Sequence, residues 1–163
     1  MSIDGVVINA SPLIALFRAN LQSVLPRLFS ELLVPTDVWK EVVNRTHDDP
    51  ATRALPQSPW AKQVPVSIDP RIRLWNLGAG ETAVLSLALS KPGGLAIVDD
   101  RAARRCAHVM EITTIGTAGV IVLAKRKGVI ASVEGALRQL QGAGLWLSDG
   151  LVSQLAAECD TPS

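Results

Sequence analysis

Short runs of consecutive apolar residues alternate along this chain with longer stretches in which apolar positions recur every three or four residues. The first run, residues 5–8 with Val6, Val7 and Ile8, is continuous and β-branched, the pattern of a strand buried on both faces. Ser11-Pro12 follows as a cap and a first-turn proline, which predicts a helix through Leu13, Leu16 and Phe17. A second helix is expected over 21–29, weakened by Pro26, and then a strand over 31–34. Thr36 or Asp37 caps a helix carrying Val38, Trp39, Glu41 and Val42. From 46 to 69 the pattern breaks: His47, Asp48, Asp49 and the prolines 50, 56, 59 and 65 predict an irregular excursion.

Regularity returns at Gly78-Ala79-Gly80-Glu81. These residues lead into a helix over 82–89 so apolar, with Ala83, Leu85, Leu87 and Ala88, that it should be buried. Pro92-Gly93-Gly94 is a turn, 95–98 a third strand, 101–110 a helix, 112–115 a fourth strand and 116–127 another helix, stopped by Gly128. Two amphipathic helices, 132–140 and 149–158, complete the chain. Strands alternating with helices across short turns imply an α/β fold with a parallel sheet covered on both faces. No repeat or linker divides it, so residues 1–163 are expected to form one domain.

Composition narrows the picture. At 163 residues, 48% of them apolar and 19% charged, the chain has ample material for a core, and a chain of this size buries roughly 70% of its unfolded surface. The net charge of +1 points to no partner by itself. Cys106 and Cys159 lack the spacing of a zinc or redox pair and are expected as reduced thiols. The apolar run at the start is broken by Asn9, Ser11 and Pro12, unlike a signal peptide. The longest apolar stretch, 115–124, ends at Lys125-Arg126-Lys127, about half of the roughly 20 residues a membrane span needs. No membrane association and a cytoplasmic location are the expectations.

The chemistry should lie beyond the carboxyl ends of the strands, where ligands bind in open parallel sheets. Asn9 directly follows the first strand, and Asp99-Asp100 follow the third. Glu41 lies on the helix after the second strand, and Glu81 opens the helix before the third. Carboxylates gathered from separate elements are costly without a compensating cation. Magnesium or manganese, which prefer oxygen ligands, would supply it. Each residue also has a plainer reading: Asp100 as the cap of the helix starting at Arg101, Glu81 as a first-turn acid, Glu41 as a solvated helix residue, Asn9 as a turn former. Arg101, Arg104 and Arg105 share a helix face beside this pocket and would hold phosphates or simply meet solvent. Lys125-Arg126-Lys127 fits a helix C-terminus. A structural or surface role is expected for His47 and His108; Trp39, Trp60, Trp75 and Trp146 could stack bases, with burial expected for most of them.

Val7-Ile8-Asn9-Ala10-Ser11-Pro12-Leu13, Val34-Pro35 with Val38 and Glu41, Leu77-Gly78-Ala79-Gly80-Glu81, Val98-Asp99-Asp100-Arg101 and Ile115-Gly116-Thr117-Ala118-Gly119 with Ala124-Lys125 together resemble, in order, the motifs of the PIN-domain family. The nearest resemblance is to its prokaryotic branch related to VapC-type toxins, with asparagine in place of the first-strand aspartate. The resemblance implies a PIN-like three-layer α/β/α sandwich and a magnesium- or manganese-dependent ribonuclease, a hydrolase that is often the toxin of a toxin–antitoxin pair. RNA, an antitoxin protein and a second copy of the chain are the partners it implies.

By motif position Asn9, Glu41, Glu81 and Asp100 would be metal ligands. Glu41, Glu81, Asp99 and Asp100 would be the catalytic acids, with Ser11, Arg101, Arg104 and Arg105 on the substrate. The departure is at Asn9: an amide oxygen can ligate magnesium, but it carries no charge and cannot act as a base. The competing reading is therefore an inactive PIN-like module that binds RNA or a protein. A receiver domain fits poorly because the acidic pair follows the third strand. A dinucleotide site fits poorly because Gly78-Ala79-Gly80 lacks a third glycine and a preceding strand.

Overall fold

The computed structural model describes residues 5–45 and 48–161. Its centre is β1, Val6–Ile8, every residue of which is fully buried. On one side β1 pairs in parallel with β2, Leu32–Pro35, which pairs with β3, Ala61–Val64. On the other side it pairs with β4, Leu95–Ile97, which pairs with β5, Thr113–Ile115. The result is a five-stranded, all-parallel sheet in the order β3-β2-β1-β4-β5. With its covering helices it forms a three-layer α/β/α sandwich of PIN-like type. Continuous apolar strands belong in such a sheet because both of their faces are shielded from water.

The helices are α1 (Ala10–Arg18), α2 (Val24–Leu28), α3 (Thr36–Val43), α4 (Pro50–Ala54), α5 (Pro70–Arg73), α6 (Ala79–Ser90), α7 (Arg101–Val109), α8 (Thr117–Arg126), α9 (Val133–Gly142) and α10 (Asp149–Cys159). Helix α6 packs against β1, β2 and β4 and against α3 and α7, which explains why it is apolar nearly all round. Among the described residues no helix is long and apolar enough to cross a membrane.

Several expectations need correction. Asn9, not Ser11, is the residue at which α1 begins: its backbone is extended, with φ −84° and ψ 166°. Pro12 then lies inside the first turn, where its missing N–H costs no hydrogen bond. The stretch expected to be irregular contains α4, a 3₁₀ turn at Leu55–Gln57, and the edge strand β3. Lys62 and Gln63 of β3 are exposed, so its sequence lacks the apolar run that marks the other strands. Trp39 and Trp60 pack against the core, but Trp75 is 37% exposed and Trp146 is 86% exposed. Cys106 is buried and both cysteines are free. His47 lies outside the described residues.

Candidate functional site

The parallel topology places the ends of β1, β2 and β4 on one edge of the sheet, and three of the predicted residues meet there. Asn9 stands immediately after β1 and its backbone N–H donates to Ile97 O at 3.0 Å, so the central strand and β4 hold it rigidly. Its side chain is buried, with the residue 4% exposed. The Nδ2 group donates a long 3.4 Å hydrogen bond to Glu81 Oε1. This turns Oδ1 the other way, where it is buried with no hydrogen-bond partner. A buried amide oxygen left bare costs about 1–3 kcal/mol, so it calls for an explanation.

Gly80 shows what faces that oxygen. A Cβ added there would lie 3.1 Å from Glu41 Oε2 and 3.2 Å from Asn9 Oδ1. Both oxygens therefore look onto the same point above the first turn of α6, and only glycine leaves that point clear. Burial raises the pKa of Glu41, the negative charge of Glu81 raises it further, and Arg45 opposes both. Glu81 itself curls back over its own helix start, where a Cβ on the capping residue Gly78 would sit 2.5 Å from its Oε2. Its carboxylate thus lies in the first turn of α6, where the helix dipole favours negative charge, while accepting from the amide of Asn9.

Asp99 and Asp100 are engaged differently. Both oxygens of Asp99 accept hydrogen bonds from Thr117, from its backbone N–H at 2.8 Å and its Oγ1 at 2.6 Å. Asp100 caps α7, with Oδ2 accepting from the Ala103 N–H at 2.9 Å. The plainer reading of Asp100 is thus satisfied in the structure, and each carboxylate retains acceptor capacity beyond these bonds.

A family model described as a PIN domain matches residues 5–161. The chain belongs to the PIN-domain family. No curated protein and no solved structure matches it.

PIN domains have a nuclease-type fold and in general use divalent metal ions. The donors in this PIN domain suit such an ion in kind: Asn9 Oδ1, the Glu41 carboxylate and Glu81 are all hard oxygen ligands. The bare, buried Oδ1 is the observation that fits, because a cation would satisfy it. Among the described residues no three His, Cys, Asp or Glu side chains stand close enough together to hold a metal ion unaided.

Around this cleft lie the other residues named from sequence. Ser11 is exposed and borders a cavity shared with Arg18, Arg45 and Trp146. Arg101, Arg104 and Arg105 are exposed along α7, where they line a groove of about 600 Å³ with Trp75, His108 and Val109. Arg104 also lines a second cavity that contains Asp99, Gly116 and Trp146. The roles of Gly80 and Thr117 are not among those predicted from the sequence, which allowed base stacking by Trp146 but favoured its burial. A small residue directly before Glu81 was the available signal for the first, and a hydroxyl opening the helix after β5 for the second. Nothing in the pattern distinguished Trp146 from a core tryptophan.

Proposed function

We propose that this protein is a magnesium- or manganese-dependent ribonuclease that hydrolyses RNA phosphodiester bonds at the cleft between β1, α3 and α6. The observation that carries the reading is the buried, unpartnered Oδ1 of Asn9, facing the Glu41 carboxylate across the clear space over Gly80. Asn9 and Glu41 would be direct oxygen donors to the ion. Glu81 would orient the Asn9 amide and add negative charge. Asp99 and Asp100, at the end of β4, would contribute their remaining lone pairs. A divalent ion bound there supplies charge to phosphoryl oxygens and lowers the pKa of water. Arg101, Arg104 and Arg105 would hold the backbone phosphates, for which guanidinium geometry is suited.

The finer parts of the reading rest on the sequence resemblance. They are the toxin role in a toxin–antitoxin pair, an antitoxin partner, self-association, a cytoplasmic location and one domain over 1–163. A specific observation favours a second reading, a PIN-like module that binds RNA or a protein without cutting. The amide at Asn9 is neutral, and Asp99 and Asp100 already serve Thr117 and Ala103. Calorimetric titration with manganese and an RNA cleavage assay separate the two. Manganese should bind, Glu41→Gln should abolish binding, Asp100→Asn should weaken it, and cleavage should stop in chelator. Unchanged manganese affinity in both variants would remove the metal reading. Binding without cleavage would select the inactive module.

A further inference from the structure

Two of the tryptophans are outside the core, and each borders a hollow that arginines of α7 also line. Trp75 lines the groove with Arg101, Arg104, Arg105 and His108. Trp146, on the connection between α9 and α10, lines the cavity that holds Arg104, Asp99 and Gly116. Arg104 borders both hollows. Trp146 also borders the cavity of Ser11, Arg18 and Arg45 on its far side. At Gly116 the second hollow comes close to the acids: a Cβ there would lie 2.9 Å from Asp99 Oδ1 and 3.0 Å from Arg104 Nη1.

We infer that Trp75 and Trp146 are base-stacking platforms of a track that holds single-stranded RNA along α7 and leads it past Asp99 into the cleft. The inference rests on the reading of that cleft as an RNA site and adds the residues that choose the substrate's form. Exposed indoles are costly to leave in water, and at 86% exposure Trp146 serves no packing role in the fold. Arg18, Arg45, Arg71 and Arg138 pair with acids, whereas the side chains of Arg101, Arg104 and Arg105, like those of Arg53, Arg73 and Arg126, make no ion pair or hydrogen bond among the described residues. Exposed indoles that border the same hollows as these arginines suit the mixture of bases and phosphates of a single strand. A second copy of the chain seated on this face would set arginine against arginine. Duplex RNA would offer no free base face to either indole.

The experiment reads binding separately from cleavage. A short fluorescein-labelled oligouridine is titrated in chelator and followed by anisotropy, using the wild type, Trp146→Ala, Trp146→Phe, Trp75→Ala and Trp75→Phe. Each alanine variant should weaken binding about tenfold, and each phenylalanine variant should recover most of it. An abasic strand of the same length should bind weakly and equally to all five proteins. Unchanged oligouridine affinity in both alanine variants overturns the track, as does equal binding of the abasic and intact strands to the wild type. A wild-type dimer that Trp146→Ala turns into a monomer also overturns it. Stacking of this pattern without cleavage in manganese sustains the track and removes the nuclease reading. Cleavage with unchanged affinity in the variants does the reverse.

Discussion

Asp49 and Glu41 lie on either side of Arg45, yet the fold treats the two carboxylates in opposite ways. Asp49 is 4% exposed and both its oxygens are engaged. Its Oδ1 accepts from the Ala51 N–H at 3.0 Å, and its Oδ2 accepts from Arg18 at 2.9 Å and Arg45 at 3.0 Å. Burial pushes its pKa up, but the Ala51 N–H and the two guanidinium groups outweigh burial and hold it below the usual carboxylate range. Glu41 keeps contact with water, but burial and the charge of Glu81 together push its carboxyl up, and Arg45 acts on it only through space. Arginines of the chain itself have closed the first site. The second keeps surplus negative charge and a bare amide oxygen, although an arginine is near enough to have been recruited. Where an acid serves only the structure, this chain gives it a permanent cation. At the cleft no arginine takes that place among the described residues.

The comparison breaks most visibly at the closed site. Asp49→Ala strips Arg18 and Arg45 of their partner and α4 of its cap, and should cost about 3 kcal/mol, or roughly 6–12 °C in Tm. Thermal melts with and without manganese should show the same loss. For the wild type, a folded-state pKa below the unfolded one means that stabilisation by Asp49 is complete above the ordinary carboxylate value. It fades as pH falls through the folded value. The gap between Asp49→Asn and wild type should therefore close in acid. A gap that persists there would assign the effect to packing and not to charge.

The next largest effect should come from Asn9→Asp, which adds a third negative charge beside Glu41 and Glu81. In chelator the variant should lose about 1–2 kcal/mol through like-charge repulsion. In manganese it should melt above the wild type and bind the ion more tightly. A variant that melts lower in both conditions would show that no cation reaches Asn9.

Glu41→Gln should give the smallest change and the opposite sign. A folded pKa raised above the unfolded one means that the ionised carboxylate is held less comfortably in the fold than in the open chain. Stability then declines as pH rises from the unfolded value through the folded one. Removing the charge should raise Tm by about 1 °C at neutral pH in chelator, a small gain because solvent screens the group. The gain should vanish below the unfolded pKa, whereas the loss of manganese binding in this variant should hold at every pH. A lower Tm in chelator would mean that Glu41 already has a cationic partner.

Much of the fold is legible in the sequence because burial on both faces forces a continuous apolar run, and Val6-Val7-Ile8 and Leu32-Leu33-Val34 carry it plainly. Strand β3 does not, since an edge strand with Lys62 and Gln63 turned to water needs no such run. The topology likewise explains why Asn9, Glu41 and Glu81 could be named from their positions at element ends. What position does not reveal is where a side chain points. Asp99 turns to Thr117, Asp100 turns to the start of α7, and Glu81 curls over Gly78. Asn9 is left with one oxygen unsatisfied. The directions of Asp99 and Asn9 follow from partners far away in sequence, Thr117 and Glu81, which no local pattern records. Asp100 and Glu81, by contrast, turn to their own helix starts, as the cap and first-turn patterns predict.

The placement of β1 has a consequence for when the site comes into being. The earliest of the described strands is the middle of the sheet, and it gains its second neighbour only with β4, at Leu95–Ile97. Asn9 is fixed by the carbonyl of Ile97, so its amide stays unplaced while the chain is still being translated through α6. Such distant pairing slows folding, because a long loop must close before the contact can form. A nascent chain or a fragment ending before β4 therefore carries every side chain of the first half of the cleft and no cleft. The ribosome must have made most of this protein before Asn9 is set in its place beside Glu81.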